Sequence, residues 1–367
     1  MQPDGEAVVI SLMSGNDRYE AVVPRRSSDS KWKIGSPVDF TFVGSTIYVR
    51  GKDGVVRKGN DHVLVAYVAD AKPLEPPNPS FPPIALANAL GQTPAGNLTY
   101  EVYAVEYAVL PQFPVASLVQ GADRSRKLDI GCYVWVIKGG GRTILFDSGF
   151  CRDKFLTQWK PQNFAKPSDA VARMGIKPED VTDLIISHAH WDHADGADLF
   201  PKANVWIQKD EYQYYTGEAW QPDPSLDLST QQGRRAANAK HGGIDPDDVL
   251  ALVKINLDGR LHLVNGDDQQ VLPGIRCYTG GKHTYQSQFC SVATRSGAVV
   301  LASDNMYLYE NLEKHAPIAQ TLDADSNLRA QDRMKALTAK PDLIVPGHDP
   351  LVMTKFPKAA EGVVRID

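Results

Sequence analysis

Residues 187–193 read SHAHWDH. This stretch decides how the rest of the chain is read. It follows the apolar run VTDLII, so a buried strand runs into a loop crowded with polar side chains. Imidazole nitrogens and carboxylate oxygens suit zinc and similar borderline metals. Alternation along an extended turn puts His188 and His190 on one side, while Asp192 and His193 reach a neighbouring point, so one loop can serve two metals. Three of the nine histidines fall within six residues, which a merely solvated polar loop does not explain. Further candidates stand at the ends of later apolar runs: His283 in TGGKHT, Asp304 in LASDN and His348 in VPGHDP.

The chain around this loop has 367 residues, 43% of them hydrophobic, which is the composition of an ordinary globular protein with a sizeable core. Its 39 basic and 44 acidic side chains give a net charge of −5, too negative to hold a phosphate backbone, so nucleic acid is excluded as a partner. No window approaches the roughly 18 apolar residues of a membrane span. The start MQPDGEAVV has neither a basic nor an apolar leader region, so a cytoplasmic location is the default expectation. Cys132, Cys151, Cys277 and Cys290 are too scattered for a disulfide framework and read as buried thiols, with a Cys277–Cys290 pairing as the alternative.

The texture changes once. Residues 72–97 are proline-rich and suit a stiff spacer. Before them, residues 1–71 carry short β-branched runs separated by turns such as Gly15-Asn16 and Asp53-Gly54. These predict a small all-β barrel or sandwich whose role the sequence leaves open, a packing or oligomerisation module being favoured over a ligand-binding one, which keeps a homo-oligomer among the expectations. After the spacer, residues 98–367 alternate strands with helical patterns: a hairpin in YVWVIKGGGRTILFDSG, a helix in PSDAVARMGI ending at Gly175, and strands in NVWIQ, LHLV, GIRCYT, FCSVATRSGAVVLAS and DLIVP. Nearly every strand ends in a polar residue able to bind metal.

This set resembles the metallo-β-lactamase superfamily, with its H-x-H-x-D-H motif and three later ligands. The resemblance covers roughly residues 100–360 and implies an α/β fold, an αββα sandwich with a dinuclear metal centre along one edge. It implies that His188, His190 and His283 hold one metal, that Asp192, His193 and His348 hold the other, and that Asp304 bridges them. Zinc is the first choice, with iron, manganese and cobalt as alternatives. Asp147 in LFDSG matches an early aspartate that orients ligands by hydrogen bonds. The retained Asp192, counted also among the catalytic residues, and Asp304 favour two-metal hydrolysis by a hydroxide held between the metals over a single redox iron. There is no G-x-S-x-G elbow to supply a serine nucleophile.

Tyr307, three positions after Asp304, is similar to a tyrosine of the N-acyl homoserine lactonase branch, where it points into the metal centre. The similarity implies a lactone or ester substrate, quorum-quenching activity, and a phenol that stabilises the oxyanion or protonates the leaving alkoxide. The alternative for Tyr307 is a core aromatic. Leu110, Phe113, Pro114 and Val115 are read as a proline-bearing loop that either walls an apolar pocket or packs on the core, and Trp191 as pocket floor or packing behind the motif. Residues 213–243 read as an inserted loop or lid, with His241 a solvated histidine. The TGGKHT segment departs from the usual pattern by Lys282 and by a missing second histidine. Competing readings are a glyoxalase II-like thioesterase, another ester hydrolase, a β-lactamase, and a non-enzymatic metal-binding sensor or docking protein.

Overall fold

The computed structural model describes residues 98–367 and, before them, the backbone of six strands. These are β1 (Ala7–Ser14), β2 (Asp17–Pro24), β3 (Asp39–Val43), β4 (Thr46–Arg50), β5 (Val56–Gly59) and β6 (Leu64–Tyr67). They form two three-stranded sheets, β1-β2-β6 and β3-β4-β5. The side chains and connections that would make them a barrel or sandwich, and the spacer at 72–97, lie outside the described residues. The chain divides into two compact units, Met1–Pro94 and Ala95–Asp367.

The second unit contains β7 (Glu101–Pro114), β8 (Lys127–Gly139), β9 (Arg142–Phe146), β10 (Asp183–Ile185), β11 (Asn204–Gln208), β12 (Leu261–Val264), β13 (Gln269–Leu272), β14 (Ile275–Thr279), β15 (Gln288–Thr294), β16 (Gly297–Ser303), β17 (Ile344–Pro346), β18 (Lys358–Ala360) and β19 (Val363–Arg365). An eight-stranded sheet runs β12-β11-β10-β9-β8-β7-β19-β18, and a five-stranded sheet runs β13-β14-β15-β16-β17. Strands β9 to β12 are parallel to one another, as are β16 and β17, with helices in the crossovers.

Period-two alternation explains the layering. In β8, Val134 and Val136 join the core beneath the helices Asp153–Trp159, Pro167–Ala172 and Pro246–Leu257, while Trp135 and Ile137 join the core between the sheets. In β16, Val299 and Leu301 face the large sheet, whereas Val300 and Ala302 pack with Ala330 and Met334 of the helix Ala324–Leu337. Both faces are buried, so these strands read as continuous apolar runs, and the layer order is helix, sheet, sheet, helix. The expected αββα sandwich is what the second unit adopts.

Three local readings need correction. Leu110, Phe113 and Pro114 belong to β7, not to a loop. Partner β19 covers only Tyr103–Val105, so Pro111 and Pro114 remove no ladder hydrogen bond on that side. A register shift with Gln112 at φ 55° absorbs the irregularity. The helix starting at Pro167 ends at Ala172, and a turn carries the chain to Gly175. Finally, Cys277 and Cys290 stand opposite each other in β14 and β15 and form a disulfide, while Cys132 and Cys151 are free. No helix among the described residues is long and apolar enough to cross a membrane.

Candidate metal centre

The site lies along one edge of the sandwich, beyond the carboxyl ends of strands from both sheets, where open α/β sheets place their ligands. Asp147 follows β9, the SHAHWDH loop follows β10, His283 follows β14, Asp304 follows β16 and His348 follows β17. The structure gathers the expected side chains into two groups of potential metal ligands. One comprises His188, His190, His283 and Asp304, the other Asp192, His193 and His348.

Asp304 stands between the groups. Its Oδ2 is 3.3 Å from His283 Nε2 and 3.8 Å from His188 Nε2, and its Oδ1 is 3.2 Å from His193 Nε2 and 3.0 Å from His348 Nε2. Asp192 Oδ2 is 3.6 Å from His348 Nε2 and 3.7 Å from His193 Nε2. His188 Nε2, His193 Nε2 and Asp304 Oδ1 are buried without a hydrogen-bond partner. Orphaned lone pairs converging on shared points are costly unless a cation satisfies them, so the residues present fit a metal at each group.

The opposite edges of the imidazoles are fixed by hydrogen-bond partners. His193 Nδ1 is 2.8 Å from Asp147 Oδ2, His188 Nδ1 is 2.8 Å from Ser187 Oγ, His283 Nδ1 is 2.8 Å from Gln320 O and His348 Nδ1 is 2.8 Å from Gly131 O. Each of these rings therefore presents Nε2 to the centre. His190 is turned the other way, with Nδ1 2.9 Å from His283 Nε2. Asp147 also accepts from Ser187 N and from the hydroxyls of Ser187 and Ser303. Asp147 and Ser303 both adopt left-handed backbone conformations, φ 63° and 48°, at the point where their strands end.

Burial, reinforced by the neighbouring rings, pushes His188 and His190 well below the usual imidazole range and keeps them neutral. His193 and His348 go the other way: burial opposes it, but Asp304 and Asp192 raise both. Burial raises the Tyr307 phenol well above its usual value, and Asp304 and Asp192 add to the effect.

Tyr307 is buried, with its ring 5.5 Å from that of His283 and 5.8 Å from that of His348. It packs into the core and also lines a cavity of ≈ 240 Å³ with Asp192, Asp304 and His348. Leu110, Phe113, Leu118, Ile130, Trp159 and Trp191 form the apolar side of this cavity. Pro114 and Val115 take no part, Val115 being buried in the core. Trp191 lies parallel to Trp159 at 5.3 Å and also packs on Phe150 and Phe155, so it is both wall and support. From the inserted stretch 213–243, Gly242 and Gly243 reach the cavity and Gly243 O accepts from Trp191 N. His241 stacks on Trp220 and joins neither ligand group. Lys282 folds back onto Tyr285 O and Gln286 Oε1.

Residues 129–348 match the family model of the metallo-beta-lactamase superfamily. The chain belongs to that superfamily. Among curated members, an N-acyl homoserine lactonase of Bacillus cereus is 27% identical over 207 residues, which is 56% of this chain and 70% of the relative. The lactonase AttM of Azorhizobium caulinodans is 25% identical over 193 residues, 52% of this chain and 66% of the relative. A solved N-acyl homoserine lactone hydrolase, with the product N-hexanoyl-L-homoserine at its catalytic metal centre, has the same fold with a TM-score of 0.57 at 19% identity, covering 72% of this chain and 98% of that one.

Within this metallo-beta-lactamase superfamily member, the sequence motif does not single out Ser187 or Ser303, whose hydroxyls bond Asp147. Ser187 precedes the first motif histidine and Ser303 precedes Asp304, so adjacency was the available signal. The carbonyls of Gly131 and Gln320 have none, because any residue supplies a carbonyl.

Proposed function

We propose that this chain is a dinuclear-metal hydrolase that opens lactone rings, with N-acyl homoserine lactones as the leading substrate class, as in quorum quenching. The observation that carries the reading is Asp304, whose two oxygens face two separate ligand groups, with the buried phenol of Tyr307 in the same cavity. The curated relatives named as N-acyl homoserine lactonases support the substrate class.

His188, His190 and His283 with Asp304 Oδ2 would hold one divalent cation, and Asp192, His193 and His348 with Asp304 Oδ1 the other. Zinc suits this nitrogen and oxygen set first, followed by iron, manganese or cobalt. Such cations act as Lewis acids and bring the pKa of water towards neutrality. The chain's own residues do the rest. Tyr307, held protonated by burial, donates a hydrogen bond to the carbonyl oxygen as it gains charge, and then passes its proton to the alkoxide released when the ring opens, regaining one from the carboxylic acid formed in the same step. The wall of Leu110, Phe113, Leu118 and Trp159 excludes water and takes the acyl chain, at about 0.8 kcal/mol for each methylene buried. At ≈ 240 Å³ the cavity lies below the roughly 300–1,000 Å³ of drug-sized sites, which favours short acyl chains.

The test is a zinc-loaded sample offered lactones of graded acyl length, thioesters, β-lactams and phosphodiesters, with acid release followed at constant pH. Lactones with short chains should open fastest, and Asp304→Ala should abolish nearly all of the rate. Preferential cleavage of another class, or ring opening that survives Asp304→Ala, refutes the proposal.

A further inference from the structure

Glu211 lies in the first turn of the helix Lys209–Thr216, immediately after β11, and is completely buried. Its Oε1 accepts from Ala189 N at 3.0 Å and from Thr284 Oγ1 at 2.7 Å, and its Oε2 accepts from Gln286 N at 2.6 Å. Ala189 separates His188 from His190, and Thr284 follows His283. One carboxylate thus ties together the two loops that carry all three histidines of the first group.

A buried carboxylate requires a countercharge. Among the described residues no lysine or arginine pairs with Glu211, whose carboxylate accepts from Ala189 N, Thr284 Oγ1 and Gln286 N. The two groups also differ in charge. The second has Asp192 to itself and shares Asp304, whereas the first has three histidines and only its share of Asp304. A divalent cation in the first group would be under-compensated by its direct ligands.

We propose that Glu211 is the positioning residue and outer countercharge of the first cation, an inference that rests on the two-metal reading above. It holds His190 and His283 at the spacing the cation needs, and supplies the negative charge that the direct ligands lack. Outer partners of this kind typically change metal affinity by about 10- to 100-fold.

Glu211→Gln keeps the shape and removes the charge. Wild type and variant, both zinc-loaded, are dialysed against graded chelator and their zinc content is measured. Imidazole N–H resonances report each group separately: that of His283, bonded to Gln320 O, for the first, and that of His348, bonded to Gly131 O, for the second. The variant should lose one zinc per chain at about 10- to 100-fold lower chelator strength. The His283 signal should disappear while that of His348 stays.

Equal zinc retention in both proteins, or simultaneous loss from both groups, overturns the role of Glu211. A wild-type chain that holds no zinc overturns the two-metal reading itself. If Glu211→Gln does not fold, Thr284→Val removes one contact and leaves the charge. It should release the first zinc faster than the wild type, and unchanged release overturns the bracing.

Discussion

Gly347 precedes His348 at a position where no larger residue fits. A Cβ built there would lie 2.8 Å from both the carbonyl carbon and oxygen of Ser303 and 2.9 Å from Asp304 Oδ1. Ordinary contact begins at 3.4 Å, so Gly347→Ala forces a displacement of about 0.6 Å. The loop cannot easily yield, because Gly347 N donates to Met306 O and His348 N donates to Tyr307 O. Nor can Ser303, whose hydroxyl is bonded to Asp147 and Ser187. Overpacking of this kind costs about 1–3 kcal/mol. At roughly 2–4 °C per kcal/mol for a unit of this size, Tm should fall by about 2–12 °C. The freest atom in the clash is the Asp304 carboxylate, so the variant should also lose metal from both groups together. Thermal unfolding with and without chelator, beside elemental analysis, checks both parts. An unchanged Tm with full metal content would show that Gly347 is not in close contact with Asp304 and refute the bridging geometry.

Tyr307→Phe should lower kcat on a good lactone about 100- to 1,000-fold, the usual cost of one oxyanion donor, with little change in metal content; an unchanged kcat returns Tyr307 to a packing role. Burial, opposed by Arg152, raises the carboxyl of Asp248 to about 7, and its Oδ2 has no partner. A raised carboxyl stabilises the fold below its unfolded value near 4 and loses that contribution as pH rises through 7, so Asp248→Asn should gain Tm relative to the wild type between pH 5 and pH 8. A pH-independent difference between the two proteins refutes this assignment. The Cys277→Ser, Cys290→Ser double variant should lose about 2–4 kcal/mol of stability, measured by denaturant unfolding under non-reducing conditions, and an equal midpoint would refute the bond.

Side chains that can bind metal are few in kind, and the crowding of His188, His190, Asp192, His193, His283, Asp304 and His348 at strand ends marks in the sequence the side chains that the structure brings together in two groups. The layering was readable for a similar reason, since strands buried on both faces leave long apolar runs such as CYVWVI. Contacts that depend on register rather than residue type were not readable. Cys277 and Cys290 resemble any two buried cysteines until β14 and β15 pair. Leu110 to Pro114 look like a loop because the short reach of β19, which leaves β7 free to tolerate proline, is not written near them. Glu211 stands in plain sight after NVWIQ, but nothing near it in the sequence reveals its reach across to Ala189, Thr284 and Gln286.

The bond between Cys277 and Cys290 joins the strand that enters the His283 loop to the strand that leaves it. Such bonds persist in oxidising compartments and stay open where glutathione and thioredoxin keep thiols reduced. A chain folded in a reducing cytosol therefore closes that loop without the cross-link and depends on Glu211 and the Gln320 carbonyl to hold His283. A chain folded after export has the loop clamped at its base as well. The stability of this edge thus carries a record of the redox surroundings in which the protein folded.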